Sequence, residues 1–220
     1  MTTHGRRALV VRGGWDGHSP VEVTDLFVPH LEAHGFDVVV ESSLEVYTDP
    51  DLGRNDLIVQ CWTMGEILAD ELRGLRAAVA AGTGFAGWHG GLLDSFRMAT
   101  DYLQMVGAQF AAHPRDAVPH TVDVLPARAD HPVVAGIDRI ELDSEQYWVL
   151  TDTMNDVLAT TAVAAGDDVP WAEPVVSPAI WTRRWGLGKI FACTMGHSVQ
   201  DLTVPEVRTV VERGLLWAAR

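Results

Sequence analysis

The sequence predicts an α/β fold built on a doubly wound, mostly parallel β-sheet with helices on both faces. In the first half of the chain, short apolar runs alternate with segments of helical periodicity, in the order β-α-β-α-β. Hydrophobic residues make up 47% of the 220 residues, which suits a chain with a sizeable core. Because neither a linker nor a repeat interrupts the pattern, we expect a single domain over residues 1–220.

The first quarter of the chain predicts three strands and one helix. The strands are expected at residues 6–12, 36–41 and 57–61, because each contains a short apolar run. A glycine-rich loop follows the first strand. Pro20 then suits the first turn of a helix, and an apolar stripe continues this helix to near Gly35.

The most informative segment follows a helix predicted at residues 66–81. Residues 84–88 form an apolar strand that ends abruptly at His89, and Gly90 and Gly91 come next. In an open α/β sheet, such a turn places its residue at the carboxyl edge of the sheet, where ligands bind. Glycines suit the turn because a Cβ would clash there. The pattern is that of a nucleophile elbow, with His89 in place of the usual Ser or Cys.

The second half is less regular and predicts an elaboration of the sheet. A short helix, a long loop, three strands, a β-hairpin and a closing helix are expected, in that order, at residues 101–107, 109–120, 121–125, 145–150, 157–163, 179–194 and 205–219. The hairpin is predicted because Gly186 and Gly188 lie in a short turn between two apolar strands.

Charge and cysteine content exclude several classes of protein. The formal net charge is −14 and no cluster of Lys and Arg stands out, which disfavours nucleic acid and anionic membranes as partners. Cys61 and Cys193 end apolar runs and are expected to be buried and reduced. Since the N-terminal apolar stretch is too short for a signal peptide, we expect a cytoplasmic protein.

Polar side chains fall where strands are predicted to end or in the loops that follow. They are His18, His89, His113, Glu145, Tyr147 and His197. Because the loops after parallel strands gather at one edge of the sheet, these residues can converge although they are far apart in sequence. The remaining histidines are expected to be surface or structural residues, namely His4, His30, His34, His120 and His131.

Imidazole and carboxylate groups in one site allow two kinds of chemistry. They form a general acid/base pair near neutral pH, which would make His89, Glu145 and Tyr147 the catalytic residues. They also match the ligands of zinc or another divalent metal. The candidate ligands are His18, His89, His113, Glu145 and His197. No HxH or HExxH spacing chooses between the two alternatives.

Several tryptophans lie close to the same loops and suggest a carbohydrate ligand. Trp15, Trp62 and Trp88 are expected to bind substrate together with His18, His113 and His197. Aromatic rings offer large flat apolar surfaces, against which the C–H faces of sugars can pack. The alternative is that tryptophans only fill the core, which we expect for Trp181 and Trp217.

The ordered set of these motifs resembles the ThuA-like family, named for trehalose utilisation. The segments that carry the resemblance are the His18 loop, Gly84 to His89, Tyr102 to Pro114, His131-Pro132, Ser144 to Tyr147, Trp181, Gly186 to Phe191 and Gly196-His197. Ser144 stands where the family usually has Asp, and Lys189 where Arg is common. The resemblance implies a flavodoxin-like, class I glutamine amidotransferase-like fold and a role in disaccharide or keto-sugar metabolism.

Three hypotheses about function follow. The first is an enzyme of hydrolase, lyase or isomerase type that acts on a small carbohydrate; glutaminase activity is not expected, since the elbow lacks its nucleophile. The second is a non-catalytic carbohydrate-binding or regulatory module. The third is a cysteine hydrolase that uses Cys61 or Cys193. Assembly into a homo-oligomer is left open, because no motif supports it.

Overall fold

The structure is a computed structural model that describes residues 5–220. The expectation for His4 therefore lies outside the described residues. Within them, the strands are β1 (Arg6–Gly14), β2 (Phe36–Glu41), β3 (Leu57–Thr63), β4 (Gly84–Trp88), β5 (Ala108–Ala112), β6 (Ala117–Val124), β7 (Arg139–Glu145), β8 (Trp148–Thr151), β9 (Asp156–Val163), β10 (Val175–Trp185) and β11 (Gly188–Cys193). The helices are α1 (Pro20–Asp25), α2 (Val28–Ala33), α3 (Ala69–Ala80), α4 (His89–Leu93), α5 (Thr100–Val106), α6 (Val199–Thr203) and α7 (Pro205–Ala218).

Nine of these strands form one sheet, in the order β2-β1-β3-β4-β11-β10-β9-β6-β7. The first five run parallel, and the remaining four extend the sheet through antiparallel pairings. Strands β5 and β8 pair separately. The predicted α/β class and the β10–β11 hairpin are confirmed, and the antiparallel part is larger than a hairpin alone.

Both faces of the central parallel strands β1, β3, β4 and β11 are largely buried, because helices cover each face, whereas the edge strand β2 is mostly exposed. Along β1, Ala8 and Val10 contribute to one apolar core, and Leu9 and Val11 to the other. The first core is closed by α1, α2, α6 and α7, and the second by α3, α4 and α5. Continuous apolar strands such as β1, β3 and β4 are typical of this layered arrangement.

The helix predicted from Pro20 to near Gly35 is instead two helices, α1 and α2. Pro29 lies in the first turn of α2 and has no backbone N–H. In a continuous helix its ring would clash with the carbonyl of Asp25, four residues earlier. The observed break follows directly, since Asp25 is the last residue of α1.

Residues 109–120 were predicted to form a loop, and this is wrong. They contain most of β5 and the first half of β6. In the sequence, Pro119 argues against a strand because proline has no N–H to donate. Strand β6 pairs with β9 only from Val122 to Val124, so no hydrogen bond to β9 is lost at Pro119. The strand predicted at residues 145–150 is also wrong, because β7 ends at Glu145 and β8 begins at Trp148. Strand β7 itself was not predicted.

No helix in residues 5–220 is long and apolar enough to span a membrane.

The tight packing of α4 against β3 gives a test of the fold. An alanine Cβ at Gly91 would lie 2.8 Å from the Cα of Cys61, whereas one at the exposed Gly53 would meet nothing within 4 Å. We expect Gly91→Ala to lower the free energy of unfolding by about 1–3 kcal/mol, because backbone must move. Gly53→Ala should leave it unchanged or slightly raised. Urea unfolding of both variants measures the difference, and equal stabilities would contradict this packing.

Candidate active site

Four ionisable side chains meet at the carboxyl edge of the parallel strands. His18 follows β1, His89 follows β4, His197 follows β11, and Glu145 ends β7. One potential ligand atom from each of them lies within 4.8 Å of the others. We call these four residues the His/Glu cluster. The structure thus brings together four of the residues that the sequence singled out.

His89 occupies the strand-to-helix turn that the sequence indicated. Its φ of +46° is left-handed, which is rare for a residue with a side chain. Its Nδ1–H donates to the carbonyl of Thr194 over 2.8 Å, and its Nε2 faces Glu145 Oε2 at 3.1 Å. A Cβ on Gly90 would lie 2.4 Å from Cε1 of His18, so glycine is needed for His18 to approach.

The backbone around the cluster is strained at two further positions. Ser19, next to His18, has a φ of +45°, and Met64, at the end of β3, has a φ of +50°. Together with His89 they are three of the four non-glycine residues with positive φ in the described part of the chain. Such strain costs about 1–3 kcal/mol per residue and tends to collect at functional sites.

Glu145 is the one carboxylate of the cluster and contacts two of its histidines. In addition to the contact with His89, its Oε1 lies 3.4 Å from His197 Nδ1 and 3.8 Å from His113 Nε2. Burial alone would raise the pKa of Glu145, but the histidines on either side outweigh it and hold this pKa below its usual range. Glu145 is therefore a carboxylate at neutral pH.

His197 is held by its backbone rather than by its ring. Its N–H donates to Oδ2 of Asp201 over 2.9 Å, and the same oxygen accepts the hydroxyl of Ser144. Its buried Nδ1 makes no hydrogen bond with the described residues, although Glu145 is close. The contact with Glu145 raises the pKa of His197 above its ordinary value.

Asp201 was missed by sequence reasoning, although it ties the end of β7 to the His197 loop. It is buried in the first turn of α6, where its N–H donates to Ser198 Oγ. The signal was present as Ser198-Val199-Gln200-Asp201, which has the spacing of a capping box.

His18 lies against the end of β3 and is 6% exposed. Its Nδ1 shares a hydrogen bond of 2.9 Å with the hydroxyl of Thr63. Burial first, and then the neighbouring His89 and His197, lower the pKa of His18 to about 3. At neutral pH this ring is uncharged, so one of its nitrogens keeps a lone pair.

Tyr147 and His113 border the cluster on the side of the two-stranded sheet. The ring of Tyr147 stacks on His89 at 4.0 Å between centroids and is almost fully buried. Burial raises its pKa, so its hydroxyl keeps its proton and can donate. His113 is partly exposed, packs on Phe110, and has its Nδ1 3.1 Å from Asp116. It lies at the mouth of the site, and it is outside the set of four converging ligand atoms.

The three tryptophans expected to bind substrate have different environments. Trp15 is 47% exposed and its ring edge contacts His18 at 4.9 Å. Trp62 is half-buried against Gly13 and Gly65. The expectation for Trp88 needs correction, because its side chain is 1% exposed and packs against Phe27 in the core.

Neither cysteine is suited to act as a nucleophile. Cys61 and Cys193 are both buried, and burial raises the pKa of each thiol to about 12. A thiol that is protonated at neutral pH and out of reach of solvent is unreactive. The structure therefore contradicts the hypothesis of a cysteine hydrolase.

The geometry allows proton transfer or metal binding by the same side chains. A carboxylate within 3.1–3.4 Å of two imidazoles can pass a proton to or from a bound substrate. Three imidazoles and one carboxylate are also suitable ligands for a divalent transition metal.

Solved structures with the same fold share little sequence with this chain. A ThuA-like protein from Parabacteroides merdae covers 98% of this chain and 90% of its own length, with 15% identity and a TM-score of 0.72. A cytoplasmic protein from Salmonella typhimurium LT2 covers 97% and 100%, with 13% identity and a TM-score of 0.66. The β-galactosidase of Bacillus circulans matches over 97% of this chain but only 30% of its own, with 11% identity and a TM-score of 0.60. At such identities the similarity concerns the fold alone.

A search of curated proteins found no significant match. The family model described as trehalose utilisation, however, matches residues 7–218, which is nearly the whole chain. The chain belongs to the ThuA family.

Proposed function

We propose that this protein is an enzyme of carbohydrate metabolism that acts on a disaccharide or a keto-sugar derivative at the His/Glu cluster. The observation that carries the proposal is the half-buried carboxylate of Glu145 in contact with His89 and His197. A partly desolvated charge surrounded by imidazoles is typical of a site that performs chemistry. Membership of a trehalose-utilisation family supplies the class of substrate.

For a keto-sugar, the cluster offers a route by proton transfer. A keto group acidifies the C–H on the neighbouring carbon, and Glu145 is a carboxylate that can remove this proton. The electron pair then forms an enolate, whose oxygen Tyr147 can stabilise by donating its hydroxyl proton in a hydrogen bond. Collapse of the enolate re-forms the C=O bond, moves the C=C bond to the carbon that carries the glycosidic oxygen and breaks the bond to that oxygen, which takes a proton from a nearby imidazole such as His113.

The surface beside the cluster suits the rest of a disaccharide. A groove of about 450 Å³ is lined by Met64, Ile67, Phe96, Arg97 and other residues of the same two segments. It begins directly after Thr63, which holds His18. Its lining is mainly apolar, with the charged residues Glu66 and Arg97, and this combination fits the C–H faces and hydroxyls of a second sugar ring.

We also propose a doubly wound, flavodoxin-like sheet and a cytoplasmic location for this protein. The order β2-β1-β3-β4-β11, with helices on both faces, supports a doubly wound, flavodoxin-like sheet of the amidotransferase type. Because His89 occupies the elbow, we do not assign glutaminase activity. The similarity to cytoplasmic proteins of Salmonella supports a cytoplasmic location.

Substitution of the cluster tests the catalytic assignment. We expect Glu145→Gln and His89→Ala each to lower kcat/KM for trehalose or its 3-keto derivative by about 10²- to 10⁴-fold, because each removes a proton-transfer group. His34→Ala is a matched control. His34 follows α2 and precedes the start of β2, so it lies at the amino ends of the parallel strands, whereas the cluster lies at their carboxyl ends. Steady-state kinetics on the folded proteins gives the comparison. Full turnover in both cluster variants would refute the assignment, and saturable binding without turnover in the wild type would favour a binding module.

Thiol chemistry gives an independent check. We expect alkylation with iodoacetamide to leave turnover unchanged, because Cys61 and Cys193 are buried and their thiols stay protonated. Mass spectrometry of the native protein should find both thiols unmodified. Inactivation in proportion to alkylation would restore the cysteine hypothesis.

A further inference from the structure

The His/Glu cluster has the composition and convergence of a metal site. We infer that His18, His89, Glu145 and His197 together bind one divalent transition-metal ion. Three nitrogens and one carboxylate oxygen, each from a different segment of the chain, lie within 4.8 Å of one another. This mixture of ligands favours borderline ions such as Zn²⁺ or Co²⁺ over Ca²⁺ and Mg²⁺, which prefer oxygen alone.

The hydrogen bonds behind His18 and His89 turn one nitrogen of each ring away from the cluster and the other toward it. His89 uses Nδ1–H to donate to the Thr194 carbonyl, which leaves the lone pair of a neutral ring on Nε2, beside Glu145. His18 likewise has Nδ1 paired with Thr63 and makes no hydrogen bond to a described residue through Nε2. A ring held through one nitrogen by a carbonyl or hydroxyl, with the other nitrogen free, is the common arrangement of metal-bound histidine.

The geometry of His197 is a further observation in favour of an ion. Its buried Nδ1 lies 3.4 Å from Oε1 of Glu145 but forms no well-aligned hydrogen bond with a described residue. A buried polar atom without a partner costs about 1–3 kcal/mol, so such atoms are few in native proteins. A metal ion between His197 and Glu145 would satisfy this nitrogen.

The spacing of the three rings fits a shared ion. Their centroids are 4.8 Å apart for His18 and His89, 5.2 Å for His18 and His197, and 5.4 Å for His89 and His197. A metal bound about 2.0–2.1 Å from each nitrogen would separate the centroids by roughly 4.5–5.2 Å at angles of about 90–109°. The observed rings therefore need to move by only a few tenths of an ångström.

The inference deepens the proposed function and rests on it for the identity of the reacting site. An ion held here would polarise the keto oxygen of a sugar as a Lewis acid. Glu145 and His89 would then be ligands, and proton transfer would fall to His113 and Tyr147, which border the cluster without belonging to it. Binding of the ion itself requires no sugar, so it can be tested separately.

The test is a titration of tag-free, chelator-treated protein with Co²⁺, followed by visible absorption, and with Zn²⁺ by calorimetry. We expect one ion per chain in the wild type and at least about 100-fold weaker binding in His197→Gln and Glu145→Gln, which each lose a ligand. Gly90→Ala should also weaken binding, because its Cβ would displace His18 while all ligands remain. His113→Gln and Gly53→Ala are the matched controls and should bind like the wild type.

The outcomes separate this inference from the proposed function. A folded wild type that takes up neither ion overturns the metal site, whatever its activity on sugars. Equal affinity in the wild type and in the folded ligand variants overturns it as well. One bound ion that depends on the cluster, in a protein without turnover of trehalose or its keto derivative, would support the metal site and refute the proposed enzyme. If a ligand variant fails to fold by circular dichroism, Gly90→Ala and the wild type decide.

Discussion

The contact between Glu145 and His89 is the interaction on which the rest of the site depends. In the sheet order, β7 is five positions away from β4, which would separate them by about 24 Å in a flat sheet. The two side chains are nevertheless 3.1 Å apart. The antiparallel half must therefore bend back over the carboxyl edge of the parallel half. Irregular pairing between β9 and β10, near Pro178 and Ile180, supplies a place for that bend.

A buried carboxylate, that of Asp201, stabilises this bend. Asp201 binds the hydroxyl of Ser144, the residue before Glu145, and the N–H of His197 through a single oxygen. One side chain thus fixes the relative positions of two members of the cluster that come from opposite halves of the sheet. Ser144 has a structural role, because its hydroxyl donates to a carboxylate that another element supplies.

The parallel half of the fold was predictable because its signals are local. Apolar runs, Pro20 and the glycines after His89 each act on their own segment, and the rule that loops gather at one sheet edge then brings His18, His89 and His197 together. The antiparallel half was not predictable in the same way. Strands β5, β6 and β7 are short or polar on one face, and their pairing depends on partners far along the chain. Trp88 shows that a correct strand prediction does not fix where a side chain points. It ends the predicted strand β4, but its side chain lies in the core.

The tautomer of His89 connects the architecture to the chemistry. The Thr194 carbonyl can only accept, so Nδ1 of His89 must carry a proton. A neutral ring then turns a lone pair at Nε2 toward the carboxylate of Glu145, and two acceptors 3.1 Å apart repel each other. A positive charge between them removes the repulsion, either as a second proton on His89 or as a metal ion shared with His18 and His197. The fold thus creates a place that favours a cation, and the proposed proton transfer and the proposed metal ion are two ways to supply it.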